Sequence, residues 1–233
     1  MKALIFDVFG TVVDWRSGVA AVAAEYFAAR GIDADPYAFA TAWRAQYDPA
    51  MERIRAGNRG YVRLDVLHRE NLDRVLADFA IEEQFDEAGR ADFNRAWEKL
   101  PPWPDSVPGL SALKNGYAIA PCSNGSIALM TWLARFGGLP WDAILGAEIA
   151  GNYKPNRDVY LASATALGLH PGEVMMVAAH NSDLDAARRA GLKTAFFPRP
   201  AEHGPGQTSD LEATSDWDVV ADDLQDLAAR LAA

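Results

Sequence analysis

Four polar clusters stand behind short apolar runs. Asp7 follows KALIF, Ser123 and Asn124 close YAIAPC, Lys154 lies in the loop after AILGA, and His180 and Asp183 follow VMMVAA. Strands commonly end in polar turns, so one such cluster carries little information. Four converging on one edge of one sheet would assemble a reaction centre. A carboxylate such as Asp7 can be a nucleophile that passes through an ester. It must stay ionised in a partly dry site, which requires a cation beside it, and Lys154 is the candidate. An imidazole at position 180 can act as base or donor near neutral pH. Each residue also has a plainer reading. Asp7 suits a turn, Lys154 a surface, Ser123 a helix cap, Arg44 an exposed helix face, Thr11 a turn hydroxyl and Tyr160 a helix with a wet hydroxyl.

The elements that must position these residues follow from periodicity. KALIF (2–6) is a buried parallel strand. From about Ser17 to Leu100 helical spacing takes over in four stretches: VAAVAAEYFAARG, YAFATAWRAQYDPAMERIRAG, LDVLHRENLDRVLADF and FDEAGRADFNRAWEKL. Gly31 and Gly57 mark helix stops. PPWPDSVPG (101–109) ends this block. Strands and helices then alternate: a helix at 108–115, strand 117–122, a helix through Phe136 and strand 143–147. Helix 157–167, strand 174–179, helix 184–190, strand 194–198 and a last helix from about Asp222 follow. The order implies right-handed crossovers and an α/β, doubly wound, Rossmann-like parallel sheet, with ligands at the carboxyl ends of its strands. The expected division is a core of residues 1–15 and 101–233, with residues 16–100 inserted as an all-helical cap.

DVFGT (7–11), SNG (123–125), YKP (153–155) and the Asp183 region resemble the four motifs of the haloacid dehalogenase superfamily, in order and along nearly the whole chain. Phosphatases of that superfamily carry a second Asp two positions after the nucleophile to protonate the leaving alcohol. Here that position is Phe9. They also bind Mg²⁺ through acids four residues apart in the fourth motif, where this chain has Ala179 before Asp183 and Asn181 before Asp185. Without the metal, a phosphate dianion would meet Asp7 uncompensated. A haloacid carries one charge, and halide departs without a proton. The chain accordingly resembles the metal-independent (type II, L-2-haloacid) dehalogenases, through DVFGTVVDW, WRAQY (43–47) and KPNRDVY (154–160).

The resemblance implies the following roles, with no metal and no organic cofactor. Asp7 attacks the halogen-bearing carbon from behind. Lys154 orients Asp7 and keeps it charged, and Thr11 hydrogen-bonds to its carboxylate. Ser123 and a backbone N–H after Asp7, that of Val8, bind the substrate carboxylate. Arg44 and Asn124 stabilise the leaving halide. Tyr160 lies near Lys154 and the substrate, and Asp183 positions Lys154 and the hydrolytic water. Better-known members have Ser-Ser-Asn where this chain has Ala178-Ala179-His180, so His180 either holds the water or shapes the pocket. Such His-bearing sequences resemble a branch linked to small substrates, including fluoroacetate. His68, His170 and His203 are expected away from the site. Trp15, Trp43, Trp97 and Trp103 are expected in core packing or along the cleft.

Composition narrows the partners. With 22 Lys+Arg against 32 Asp+Glu, a net charge of −10 and no basic run, the chain suits neither nucleic acid nor an anionic membrane. One cysteine, Cys122, excludes an internal disulfide and fits a reducing cytosol. No apolar run reaches a membrane span, and no signal peptide is expected at the N-terminus. A homodimer in the cytoplasm is expected. The alternatives to a dehalogenase are a magnesium-dependent small-molecule phosphatase of the same superfamily and a non-enzymatic member binding small acids or another protein.

Overall fold

The computed structural model describes residues 1–232. Strand β1 (Ala3–Phe6) opens the chain, and the helical block follows: α1 (Trp15–Arg30), α2 (Pro36–Ala45), α3 (Tyr47–Arg55), α4 (Leu64–Asp78) and α5 (Glu87–Asn94). Helix α6 (Ser106–Leu113), β2 (Ala118–Ser123), α7 (Ile127–Gly137), β3 (Leu145–Gly146), α8 (Ala147–Ala150) and α9 (Arg157–Ala166) come next. The chain ends with β4 (Val174–Ala178), α10 (Asn181–Arg189), β5 (Lys193–Phe196), β6 (Val219–Val220) and α11 (Leu224–Ala232).

All six strands are parallel, in the order β3-β2-β1-β4-β5-β6. This is a doubly wound sheet. The chain winds outward on one side of β1, then crosses it to wind outward on the other, so the carboxyl end of β1 opens at the switch point. Burial on both faces explains why the strands read as continuous apolar runs. Leu4, Phe6, Met175 and Val177 join one apolar cluster, while Ala3, Ile5, Val174, Met176 and Ala178 join the other. The first cluster runs on through Val12, Val13 and Trp15 into the helices of residues 15–98, so sheet and helical block share a continuous interior. At the heart of that block Phe39 packs between Phe27, Trp43, Phe79 and Phe93.

The helical block differs in detail from its periodicity. The second predicted helix is broken at Gln46 into α2 and α3. Pro49 has no N–H for the Ala45 carbonyl one turn back, and its ring is tolerated only in the first turn of a new helix. The fourth predicted helix shortens to α5 followed by a 3₁₀ turn at Arg95–Glu98. Gly31 and Gly57 do end helices, at φ of +66° and +74°. Helix α7 starts after its N-cap Ser126, and α10 starts earlier than expected, at Asn181. The two-residue β6 has no sequence signal long enough to read. No described helix is long and apolar enough to cross a membrane.

Candidate active site

Asp7 extends β1 by one residue, donating its N–H to the Val177 carbonyl of β4. The chain then turns sharply, with the Val12 and Val13 N–H groups donating back to the Val8 carbonyl. The turn brings Thr11 over Asp7, and its hydroxyl donates to Asp7 Oδ2 at 2.8 Å while accepting the Ala179 N–H at 3.0 Å. Lys154, from the loop before α9, donates from Nζ to Asp7 Oδ1 at 2.8 Å and to Asp183 Oδ2 at 2.5 Å. His180 sits 3.0 Å from Asp7 Oδ2 through Nδ1. The carboxylate therefore faces three donors from three segments, and it is buried, as are Lys154 and Asp183.

Sequence reasoning missed Glu202. Its Oε2 lies 2.8 Å from His180 Nε2, and its Oε1 accepts the Trp15 indole N–H at 3.0 Å. A glutamate in AEHGPG reads as solvated loop, yet it is only 2% exposed. The signal was Gly10. This residue has φ +88°, and a Cβ there would fall 2.0 Å from Glu202 Oε1. Only glycine both adopts that backbone and leaves room for the carboxylate.

Charge and burial oppose each other throughout the cluster. Burial would raise the Asp7 pKa, but the Lys154 ammonium and the His180 ring hold it well below the carboxylate range. Burial would lower the Lys154 pKa, and Asp183 and Asp7 hold it above the ordinary range. Burial would also lower that of His180. Glu202 and Asp7 reverse this and raise it well above 6.5, so the resting ring is an imidazolium shared by two carboxylates.

Asp7 opens on a cleft of about 210 Å³ also lined by Phe9, Arg44, Tyr47, Asn124, Lys154, His180 and Asp183. Arg44 comes from α2, its guanidinium 3.8 Å from the Tyr47 ring centroid. One of its terminal nitrogens, Nη1, is buried with no hydrogen-bond partner among the described residues. Asn124 accepts the Lys154 backbone N–H at 2.8 Å through Oδ1, which leaves its NH₂ to donate. The cleft thus holds an ionised carboxylate and the cationic Arg44 side chain, with an apolar ring at position 9.

Other expected residues stand behind this surface. Val8, Thr11, Ser123 and Tyr160 are fully buried and do not line the cleft. The Ser123 hydroxyl accepts the Gly125 N–H at 3.0 Å, while Ser126 caps α7. The Tyr160 hydroxyl donates to Asp183 Oδ1 at 2.5 Å, so it touches Asp183 rather than the cleft. His170 lies on a surface turn away from the site. His203 departs from expectation: it is exposed, but its Nε2 stands 3.6 Å from Glu202 Oε1 and its ring packs on Trp15, because it directly follows Glu202 in the chain. His68 departs from expectation. It is buried, stacks on Trp97 at 4.2 Å, and packs against the cleft rings Phe9 and Tyr47 at 6.4 and 6.0 Å. Apolar helices carry it there, and a histidine at core spacing has no separate signal. Trp15, Trp43 and Trp97 are core residues, and Trp103 donates to the Gly10 carbonyl.

Among the described residues, no three His, Cys, Asp or Glu side chains are grouped to hold a metal ion. Asn181, at a position where the phosphatases supply an acid, directs its amide to Asp210, Glu212, Thr214 and Trp217.

A family model of haloacid dehalogenase-like hydrolases matches residues 1–191. The chain is 29% identical over 201 residues to the (S)-2-haloacid dehalogenase of Xanthobacter autotrophicus, covering 85% of this chain and 76% of that protein. Among solved structures, the defluorinating L-2-haloacid dehalogenase Rha0230 is 52% identical, with a TM-score of 0.98 over 100% of this chain and 96% of that one. The L-2-haloacid dehalogenase PA0810 is 47% identical, with a TM-score of 0.96 over 100% and 99%.

Proposed function

The chain belongs to the haloacid dehalogenase-like hydrolases, and from that membership we infer the reaction of its cleft. It hydrolyses the carbon–halogen bond of short 2-haloalkanoic acids to a 2-hydroxy acid and halide. Residues 1–15 and 101–233 form the core in this reading, and residues 16–100 the cap. The observation that carries the mechanism is the ionised Asp7 sharing a cleft with an apolar ring at position 9 and the Arg44 side chain.

Asp7 attacks C2 of the haloacid, a carbon–oxygen bond forms as the carbon–halogen bond breaks, and configuration inverts. Arg44 and the Asn124 amide receive the departing halide, and Phe9 has no proton to give because none is needed. Ser123 and Val8, expected to bind the substrate carboxylate, lie behind the cleft wall and take no direct part in this step. Ester formation removes the Asp7 charge, so His180 keeps only Glu202 as an anionic partner. Its proton then leaves to solvent, and the neutral ring takes a proton from water attacking the Asp7 side-chain carbonyl. Collapse of the tetrahedral intermediate releases the 2-hydroxy acid with the proton returned to its oxygen. Asp183, held by Tyr160 and Lys154, orients Lys154 through both steps. Fluoroacetate belongs to the substrate range, since a compact cleft with cationic donors favours a small, poor leaving group. A homodimer and a cytoplasmic location complete the reading, the buried lone Cys122 suiting a reducing compartment.

Single-turnover hydrolysis in ¹⁸O water tests the mechanism. Label is expected in the Asp7 peptide and absent from the first-formed 2-hydroxy acid; label in the product alone excludes the ester. Release of fluoride from fluoroacetate is the expected companion result, and release of chloride only, from chloroacetate, removes the defluorinating reading.

A further inference from the structure

Arg55 ends α3 in the cap, outside the residues assigned to the reaction. Its side chain is 13% exposed, although both its acidic partners are open to solvent, Asp48 at 75% and Glu52 at 60%. Nε donates to Glu52 at 2.8 Å and Nη2 to Asp48 at 2.8 Å. The remaining nitrogen, Nη1, reaches the backbone carbonyl of Lys154 at 3.0 Å. Lys154 is therefore gripped on both sides. Its N–H is held from the core by Asn124, its carbonyl from the cap by Arg55, and its ammonium reaches Asp7 between them. A second bond joins the same loop to the cap, from the Tyr153 hydroxyl to the Val62 carbonyl.

Arg55 also stands at the mouth. An outer compartment lined by Arg55, Glu52 and Asn156 shares Asp48, Pro155 and Ser182 with the catalytic cleft. An anionic substrate using this route meets two carboxylates, each paired with the same guanidinium.

We propose that Arg55 is a positioning residue that couples the closed cap to the Lys154 backbone and masks Asp48 and Glu52 from the anionic substrate. The proposal rests on the dehalogenase reading of the cleft. A neutral residue of similar length removes both effects, and removing the two carboxylates from the mouth repairs only one. In Arg55→Met, kcat is expected to fall about 100-fold, the scale of a misplacement near 1 Å. KM is expected to rise severalfold at low salt, with the rise shrinking in high salt as the bare carboxylates are screened. Adding Asp48→Asn and Glu52→Gln should restore KM and leave kcat low. Arg55→Lys should recover KM but little of kcat, since one ammonium cannot make all three bonds.

Amide hydrogen exchange of the segment around residues 152–158 supplies a readout independent of turnover, expected to quicken in Arg55→Met. Wild-type kcat in Arg55→Met, recovery of kcat together with KM in the triple variant, or unchanged exchange in that segment overturns the proposal. If the wild-type protein releases no halide from any 2-haloacid, the reading of the cleft fails instead, and the exchange measurement alone decides the clamp.

Discussion

Two buried ionic clusters lie one turn apart, and they share ingredients. In the first, Lys154 pairs with Asp7 and Asp183 beneath the cleft. In the second, Arg199 forms a two-pronged pair with Asp105, both bonds 2.8 Å. Arg199 also donates to the Thr11 carbonyl at 2.9 Å, and Asp105 accepts the Leu224 N–H. Burial would raise the Asp105 pKa and Arg199 reverses it, the same contest seen at Asp7. The difference lies in what each cluster borders. Arg199 is enclosed by Phe197 and Trp103, with each nitrogen bonded inward. Asp7, Lys154 and Asp183 line a cleft that Arg44 also lines. Buried charge is therefore no mark of function by itself; buried charge that lines a cavity is. Thr11 joins the two, its hydroxyl on Asp7 and its carbonyl on Arg199, so the inert cluster fixes the turn that the reactive one needs.

Removing the cation from each cluster should separate the roles. In Lys154→Met, Asp7 loses the ammonium that keeps it ionised, and halide release is expected to drop at least ~10³-fold. Asp7 and Asp183 are also left without their shared cation, a loss of about 3 kcal/mol in urea unfolding at neutral pH. The sign follows from the depressed carboxyl. Its contribution is present above the ordinary pKa of 3.8 and lost as pH falls through the lower folded value, so neutral pH shows the full difference. Turnover within tenfold of the wild type would remove Lys154 from the chemistry.

Arg199→Met should invert the pattern. About 3–5 kcal/mol of stability is expected to go, because Asp105 is left buried and unpaired. The protein that remains folded, assayed in the cold, should keep kcat within about tenfold, since Thr11 retains its bonds to Asp7 and Ala179. A loss under about 1 kcal/mol in urea unfolding would break the comparison.

The two clusters were unequally legible. Asp7, Lys154, Asp183 and the switch-point sheet stand out because each motif residue follows an apolar run, and sequence order alone brings parallel strand ends together. Arg44 could be placed only by resemblance, because a cap helix offers many outward arginines. Glu202 and Arg199 were illegible, since both lie in a proline- and glycine-punctuated segment whose path is set by contacts with residues 11, 15, 105 and 180. Arg55 was hidden for a similar reason, its spacing to Asp48 and Glu52 being that of an ordinary solvated helix face. Local pattern reports which residues sit at strand ends. It does not report which loop folds back over them.

Glu202→Gln gives the smallest effect and the sharpest test of what the reactive cluster does with its charge. In the resting enzyme His180 lies between two carboxylates and is protonated well above 6.5. Only the neutral ring can take a proton from water, so ester hydrolysis should rise with pH through the His180 pKa of the ester state. Glutamine keeps the shape and the Trp15 contact but removes the last anion beside the ring. Burial then acts unopposed, the pKa falls, and the rising limb of single-turnover ester hydrolysis should move about one unit toward acid. Stability should follow the same sign. A raised folded pKa stabilises fully below 6.5 and less as pH climbs through the raised value, so in Glu202→Gln the contribution is smaller and its loss is complete at lower pH. The rate on the plateau should change less than about threefold, because Asp7, Lys154 and Arg44 are untouched. A limb that stays in place, or moves toward alkali, would mean that His180 shapes the pocket and that another group accepts the proton from water.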